Sequence, residues 1–98
     1  AIILTGTGKA FCAGGDIRSM DDRATLSVKT RMTRTYRWLI PLLTADKPII
    51  AAVNGAAAGA GLSLALTADL IVAARDARFK AGFPGIGAVA DLGLAYTL

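Results

Sequence analysis

The sequence predicts an α/β chain, or a layered α+β one, in which short buried strands alternate with helices. Three observations predict it. The run Ile49-Ile50-Ala51-Ala52-Val53 is apolar and rich in β-branched residues, as a buried strand requires. From about Ala24 to Leu43 the pattern is helical, with Met32, Tyr36, Leu39 and Leu43 at three-to-four spacing. Further apolar runs, Ala1–Leu4 and Asp69–Ala74, end at turn residues and give the alternation that defines the class.

Taken in order, Ala1-Ile2-Ile3-Leu4 reads as a buried strand and Thr5-Gly6-Thr7-Gly8-Lys9 as a turn. The turn is not a phosphate loop, because no Ser or Thr follows the lysine and the spacing is wrong. Ala10-Phe11-Cys12-Ala13-Gly14-Gly15-Asp16-Ile17 is a small-residue passage after a strand, where glycines allow close backbone approach. Asp16 there either serves a ligand or caps its own loop. Asp21-Asp22-Arg23 is polar and expected to be flexible. The following helix offers Leu26, Met32, Tyr36, Leu39, Ile40 and Leu43 as core positions, and Pro41 should kink or end it. Tyr36 and Trp38 read as packing residues. Thr44 to Pro48 connects to the central strand. After the central helix come the strand Asp69–Ala74, a turn at Arg75-Asp76 and a short alternating strand at Ala77–Lys80. Gly82–Gly87 is loop-like, and a helix start runs through Leu98. The sequence carries no internal repeat or low-complexity tract.

The stretch from Pro48 to Ala74 organises the chain. Its strand breaks at Asn54-Gly55, and a knot of small residues, Ala56-Ala57-Ala58-Gly59-Ala60-Gly61, leads into the helix of Leu62, Leu64, Ala65 and Leu66. The reading is strand, tight turn, helix N-terminus. Such a turn lets a ligand touch the backbone, and unpaired amides at a helix start attract an anion or an oxygen that becomes one. Close packing alone explains the same composition equally well. The uncharged Pro48–Ala68 segment is long enough to cross a bilayer, but Pro48, Asn54, Ser63 and Thr67 argue against a membrane span. Gly59-Ala60-Gly61 lacks the third glycine of a dinucleotide fingerprint.

Composition excludes more chemistry. The 98 residues hold no histidine, and their seven acidic residues are all aspartates, so a Ser-His-Asp triad is impossible within them. Any acid or base must be Asp, Tyr, Lys or Cys. The lone Cys12 gives neither an internal disulfide nor a metal cluster and fits a reducing compartment. Net charge is +4, concentrated in Lys29, Arg31, Arg34 and Arg37 on the predicted helix. They form a solvated face or sit near a phosphate-bearing ligand; no motif for nucleic acid accompanies them. Hydrophobic residues make up 54% of the chain, which, with a start inside an apparent strand, suggests a piece of a longer polypeptide. Asp91 stands among apolar residues, where lost hydration raises a carboxyl pKa toward a useful base; a helix N-cap is the competing role.

Two glycine/alanine turns, each after a strand and about 47 positions apart from Ala13 to Ala60, together with Asp91, resemble the crotonase (enoyl-CoA hydratase/isomerase) superfamily. The residues that carry the resemblance are IILTGTGKAFCAGGDI from Ile2 to Ile17, KPIIAAVNGAAAGAGLSLAL from Lys47 to Leu66, and ADLIVAARDARF from Ala68 to Phe79. The resemblance implies a crotonase-like spiral of repeated ββα units, here the central part of one domain, and homotrimers or hexamers built as dimers of trimers. It implies an acyl-CoA thioester as substrate, with no metal or redox cofactor and CoA as part of the substrate. A cytoplasmic setting or an organelle matrix would suit it. Ala13 and Ala60 match the two main-chain donors of the family's oxyanion hole. Gly14, Gly15, Asp16 and Gly59 match the loops around CoA and the thioester, and Ala10, Cys12 and Ile17 match positions lining the adenine or pantetheine channel.

The departures bear on the reaction. Family hydratases use two glutamates, and these fall at Ser63 and near Phe83, where no carboxylate exists. Gly87-Ala88-Val89-Ala90-Asp91-Leu92-Gly93 instead resembles the isomerase branch, with an aspartate at this point. Phe83 also occupies the place of a second carboxylate used by dienoyl isomerases, which favours a one-carboxylate mechanism. The resemblance thus implies an isomerase-like enzyme with Asp91 as acid and base. Hydration, hydrolysis or ring isomerisation on the same scaffold, and a catalytically silent acyl-CoA binder, are the alternatives.

Overall fold

The structure, a computed structural model, describes residues 1–20 and 25–97. Contacts divide it into two units, Ala1–Gly15 with Lys47–Leu98, and Asp16–Asp46. In chain order the elements are β1 (Ile2–Thr5), β2 (Ala10–Cys12), a 3-10 turn (Ile17–Met20), α1 (Thr25–Leu43), β3 (Ile49–Val53), β4 (Ala56–Ala58), α2 (Ala60–Leu66), β5 (Leu70–Ala73), β6 (Arg78–Lys80), a second 3-10 turn (Pro84–Ile86) and α3 (Leu94–Thr97). Two strands and a helix therefore recur three times. The expected ββα repetition is present in the backbone although the sequence carries no overt repeat.

The first strands of the three units form one parallel sheet, β1-β3-β5, and the second strands form another, β2-β4-β6. Ile50 pairs with Ile3 on one side and Leu70 on the other. Ala57 pairs with Cys12 and with Phe79, across an irregularity between Ala10 and Cys12. Hydrogen bonds fasten the ends. The Ile49 N–H donates to the Asp69 carboxylate at 2.7 Å, and the Asp69 N–H returns to the Ile49 carbonyl at 2.9 Å. Asn54 clips the β1–β2 turn: its Oδ1 accepts from the Gly6 N–H at 2.9 Å and its Nδ2 donates to the Gly8 carbonyl at 3.0 Å.

Only the central strand is buried as the sequence predicts. Ile49, Ala51 and Val53 point inward, and Ala51 and Val53 share a core with Phe11, Ala57 and Ala65. β1 and β5, expected to be buried, are sheet edges and largely exposed. The apolar runs predict strands correctly, but burial depends on neighbours that an edge lacks. Ala56–Ala58, expected within the turn, forms β4, because Cys12 and Phe79 offer it strands on both sides. The Gly82–Gly87 loop contains the 3-10 turn at Pro84–Ile86.

In the second unit α1 runs to Leu43, the end that the helical pattern predicts, and ends two residues after Pro41. Pro41 has no N–H to bond the Arg37 carbonyl, so the helix gives up one bond there, in its last turn. The Thr44 N–H at 3.1 Å and its hydroxyl at 2.9 Å both reach the Ile40 carbonyl and close the helix. Of the predicted core positions only Leu39 is buried. Met32 is half-buried, and Leu26, Tyr36, Ile40 and Leu43 are exposed, as is Trp38. Periodicity predicts the helix but not its burial: among the described residues of this unit α1 is the only long helix. Lys29, Arg34 and Arg37 are exposed along α1. The Asp21-Asp22-Arg23 link and Leu98 lie outside the described residues. No helix among the described residues is long and apolar enough to cross a membrane.

Candidate functional site

The two small-residue bends meet. Gly14 has a φ of +91°, in the left-handed region that glycine tolerates. A Cβ placed on it would stand 2.8 Å from the Ala58 carbonyl oxygen and 3.1 Å from the Ala60 nitrogen. Gly61, on the other bend, faces back. A Cβ there would collide with the Cys12 carbonyl and lie 2.8 Å from the Cys12 Cβ. Bare backbone on both sides is what lets the ends of β2 and β4 approach this closely. The strand pairing Cys12–Ala57 holds them there.

The β4 bend also supplies the start of α2. The Leu62 and Ser63 N–H groups donate to the Gly59 carbonyl at 3.0 and 3.2 Å. The amides of Ala60 and Gly61 precede any acceptor within the helix. Gly59, the N-cap, makes no side-chain cap and donates its own N–H to the Lys80 carbonyl at 2.9 Å. The third strand end, Lys80 to Gly82, thus joins the group, a neighbour that the sequence reading missed. The signal was available in Phe79-Lys80-Ala81-Gly82, again a strand followed by small residues.

Of the predicted site residues, Ala10, Cys12, Ala13, Gly14, Gly15, Gly59 and Ala60 all lie on β2, β4 or their bends, in one unit. Ala13 is exposed and Ala60 half-buried. Cys12 packs partly against the first core. Asp16 and Ile17 belong to the other unit. There the Asp16 carboxylate accepts from the Arg18 N–H at 3.0 Å and pairs with its guanidinium at 3.2 Å, the local capping role weighed above. No cluster of side chains among the described residues could hold a metal ion.

Asp91 is exposed as a residue, and its carboxyl is nonetheless held above the usual aspartate range. Partial loss of hydration raises it, and a hydrogen bond from its own backbone amide opposes the rise. Its carbonyl is the better-fixed part. It accepts from the Leu94 N–H at 3.0 Å and from the Ser63 hydroxyl at 3.0 Å. Ser63 is fully buried, and Phe83 is buried with Leu62 and Leu94 in a second core. Ser63 and Phe83 are therefore interior positions, and Asp91 is tied to α2 through its main-chain carbonyl.

The sequence profile of the enoyl-CoA hydratase/isomerase family matches residues 1–98. A probable enoyl-CoA hydratase of Rhodobacter capsulatus is 45% identical over 94 residues, 95% of this chain and 36% of that protein. The 1,2-epoxyphenylacetyl-CoA isomerase of Escherichia coli K12 is 41% identical, over 99% of this chain and 38% of that protein. The crystal structure of an enoyl-CoA hydratase from Polaromonas sp. JS666 matches with a TM-score of 0.88 at 39% identity, over 97% of this chain and 38% of that one. The chain spans little more than a third of the length of these relatives. With paired parallel sheets, converging bends and a match along its whole length, the chain belongs to the enoyl-CoA hydratase/isomerase family.

Proposed function

We propose that the protein is an acyl-CoA enzyme that moves a double bond, with Ala13 and Ala60 as main-chain donors and Asp91 as acid and base. The observation that carries this reading is the contact between the bends, in which Gly14 lies beside the Ala60 nitrogen. Two amides aimed at one thioester oxygen would stabilise the enolate formed when a neighbouring carbon loses a proton. Removing one such donor costs about 10²–10³ in rate in comparable sites. Asp91 takes the proton from the carbon beside the thioester or from its vinylogue. The electron pair passes to the oxygen, and Asp91 returns the proton at the other carbon. The double bond has then migrated with no net redox change, and one carboxylate suffices. CoA enters as part of the substrate, and no cofactor takes part in this scheme. A homotrimer or a dimer of trimers and a cytoplasmic setting complete the reading, the latter supported by bacterial relatives.

The test is Asp91→Asn in the protein as the cell makes it, assayed for double-bond migration across a panel of enoyl-CoA esters. We expect at least a 100-fold fall in kcat, since general acid–base catalysis contributes about 10²–10⁴-fold. Unchanged turnover removes Asp91 from the mechanism. Hydration is the second reading, favoured by relatives described as hydratases. It requires that another carboxylate do what Ser63 and Phe83 cannot. Mass analysis of the products separates the two, because hydration adds one water to the substrate and isomerisation adds nothing.

A further inference from the structure

We propose that Ser63 is a positioning residue that fixes the Asp91 carboxylate by holding the Asp91 main chain. The inference rests on the reading of Asp91 as the acid–base group. Its basis is a hydrogen bond between elements far apart in sequence. The Ser63 hydroxyl donates to the Asp91 carbonyl at 3.0 Å, and Ser63 has 0% exposure. A serine within a helix commonly turns its hydroxyl back to the carbonyl four residues earlier. Here that carbonyl, on Gly59, accepts two backbone N–H groups, and the hydroxyl reaches across to Asp91. A fully buried hydroxyl needs a partner, so the bond costs much to break and fixes both ends.

The receiving segment is exposed among the described residues, and its backbone hydrogen bonds up to Ala88 are local, to Phe83 and Pro84. From Pro84 to Asp91 every residue is exposed, with Val89 at 87%. The segment is anchored at Phe83 and Leu94, both buried beside Leu62. The carbonyl of Asp91 receives Ser63 on one side and the Leu94 N–H on the other. Leu92, the next residue, has a φ of +50° and is the one non-glycine in the left-handed region among the described residues. Such a conformation persists only where its surroundings determine it. The Ser63 hydroxyl and the Phe83–Leu94 anchor supply that determination. Ser63 thus holds the main chain of the carboxylate that the proposed mechanism uses.

The experiment compares Ser63→Ala, Ser63→Cys and Ser63→Thr with Asp91→Asn in the protein as the cell makes it. Backbone hydrogen exchange over residues 91–97 reads the tether without reference to catalysis. Ser63→Ala should speed exchange there by at least about tenfold. It should lower kcat by about 10–100-fold with KM within about threefold, since a misplacement near 1 Å can cost about 10²-fold. Ser63→Thr, which keeps the hydroxyl, should recover most of the loss. If Ser63→Ala does not fold, Ser63→Cys keeps the volume while weakening the donor and should show the same split. Exchange and kcat both unchanged in a folded Ala or Cys variant would overturn the proposal, as would a loss of stability with kcat per folded site intact. If Asp91→Asn keeps full turnover, the acid–base reading fails, and the exchange data still decide whether the tether exists. If Asp91→Asn is inactive while the serine variants are normal, only the Ser63 proposal fails.

Discussion

Replacing Gly61 with alanine would separate the two bends by a calculable amount. The new Cβ would lie 2.7 Å from the Cys12 carbonyl carbon and 2.8 Å from the Cys12 Cβ, against an ordinary contact of at least 3.4 Å. Clearing the carbonyl carbon alone takes about 0.7 Å, and the Cys12 carbonyl oxygen lies closer still, so one backbone must move against the other by more than that. Neither side can yield by a rotamer change, because the obstructing atoms belong to β2 and its bend. Overpacking of this kind costs about 1–3 kcal/mol. The catalytic consequence should be larger, because the shift acts between Ala13 and Ala60. A main-chain donor pulled out of range is worth about 10²–10³ in rate, so we expect kcat to fall by that order for Gly61→Ala. The assay is steady-state turnover of an enoyl-CoA ester, normalised to folded protein by circular dichroism and thermal melting. A folded variant with kcat within threefold of the parent would refute the reasoning, since the bends would then tolerate separation.

Two further outcomes follow from the same geometry. Asn54→Ala removes the acceptor of the Gly6 N–H and the donor to the Gly8 carbonyl. It should lower unfolding stability by about 1–3 kcal/mol, seen as a lower denaturant midpoint with unchanged slope; an unchanged midpoint would show that water replaces the clip. Burial raises the Asp91 carboxyl pKa, so the native state binds that proton more tightly than the unfolded chain does. The group's contribution to stability is greatest below the unfolded value and falls as pH rises through the folded one. A base must be deprotonated, so the acid limb of kcat/KM should lie above that of an ordinary aspartate; a limb at or below about pH 3.9 would contradict the assignment.

The backbone plan was legible because the cues are local. The β-branched run at Ile49–Val53, the breaks at Asn54-Gly55 and Arg75-Asp76 and the small residues around Gly14 and Gly59 mark the strands and bends directly. The convergence of those bends entered through the resemblance, and the reason only glycine fits at Gly14 and Gly61 needed coordinates. Burial was read less well. Ile3, Leu70 and Val72 look interior by composition, yet they lie on edge strands. α1 shows the same gap, since a stripe from Leu26 to Leu43 records that something can cover it and not what does. Ser63 and Phe83 were visible as missing carboxylates, but their roles were not. The bond from Ser63 to Asp91 joins residues 28 positions apart and leaves no periodic trace.

The most direct measurement is a crystal structure of the protein with a bound acyl-CoA thioester or a stable enolate mimic. The account predicts one oxygen within about 2.7–3.1 Å of both the Ala13 and Ala60 nitrogens, with the Asp91 carboxylate facing the adjacent carbon. A thioester oxygen bound elsewhere, or held by only one of these amides, would contradict it.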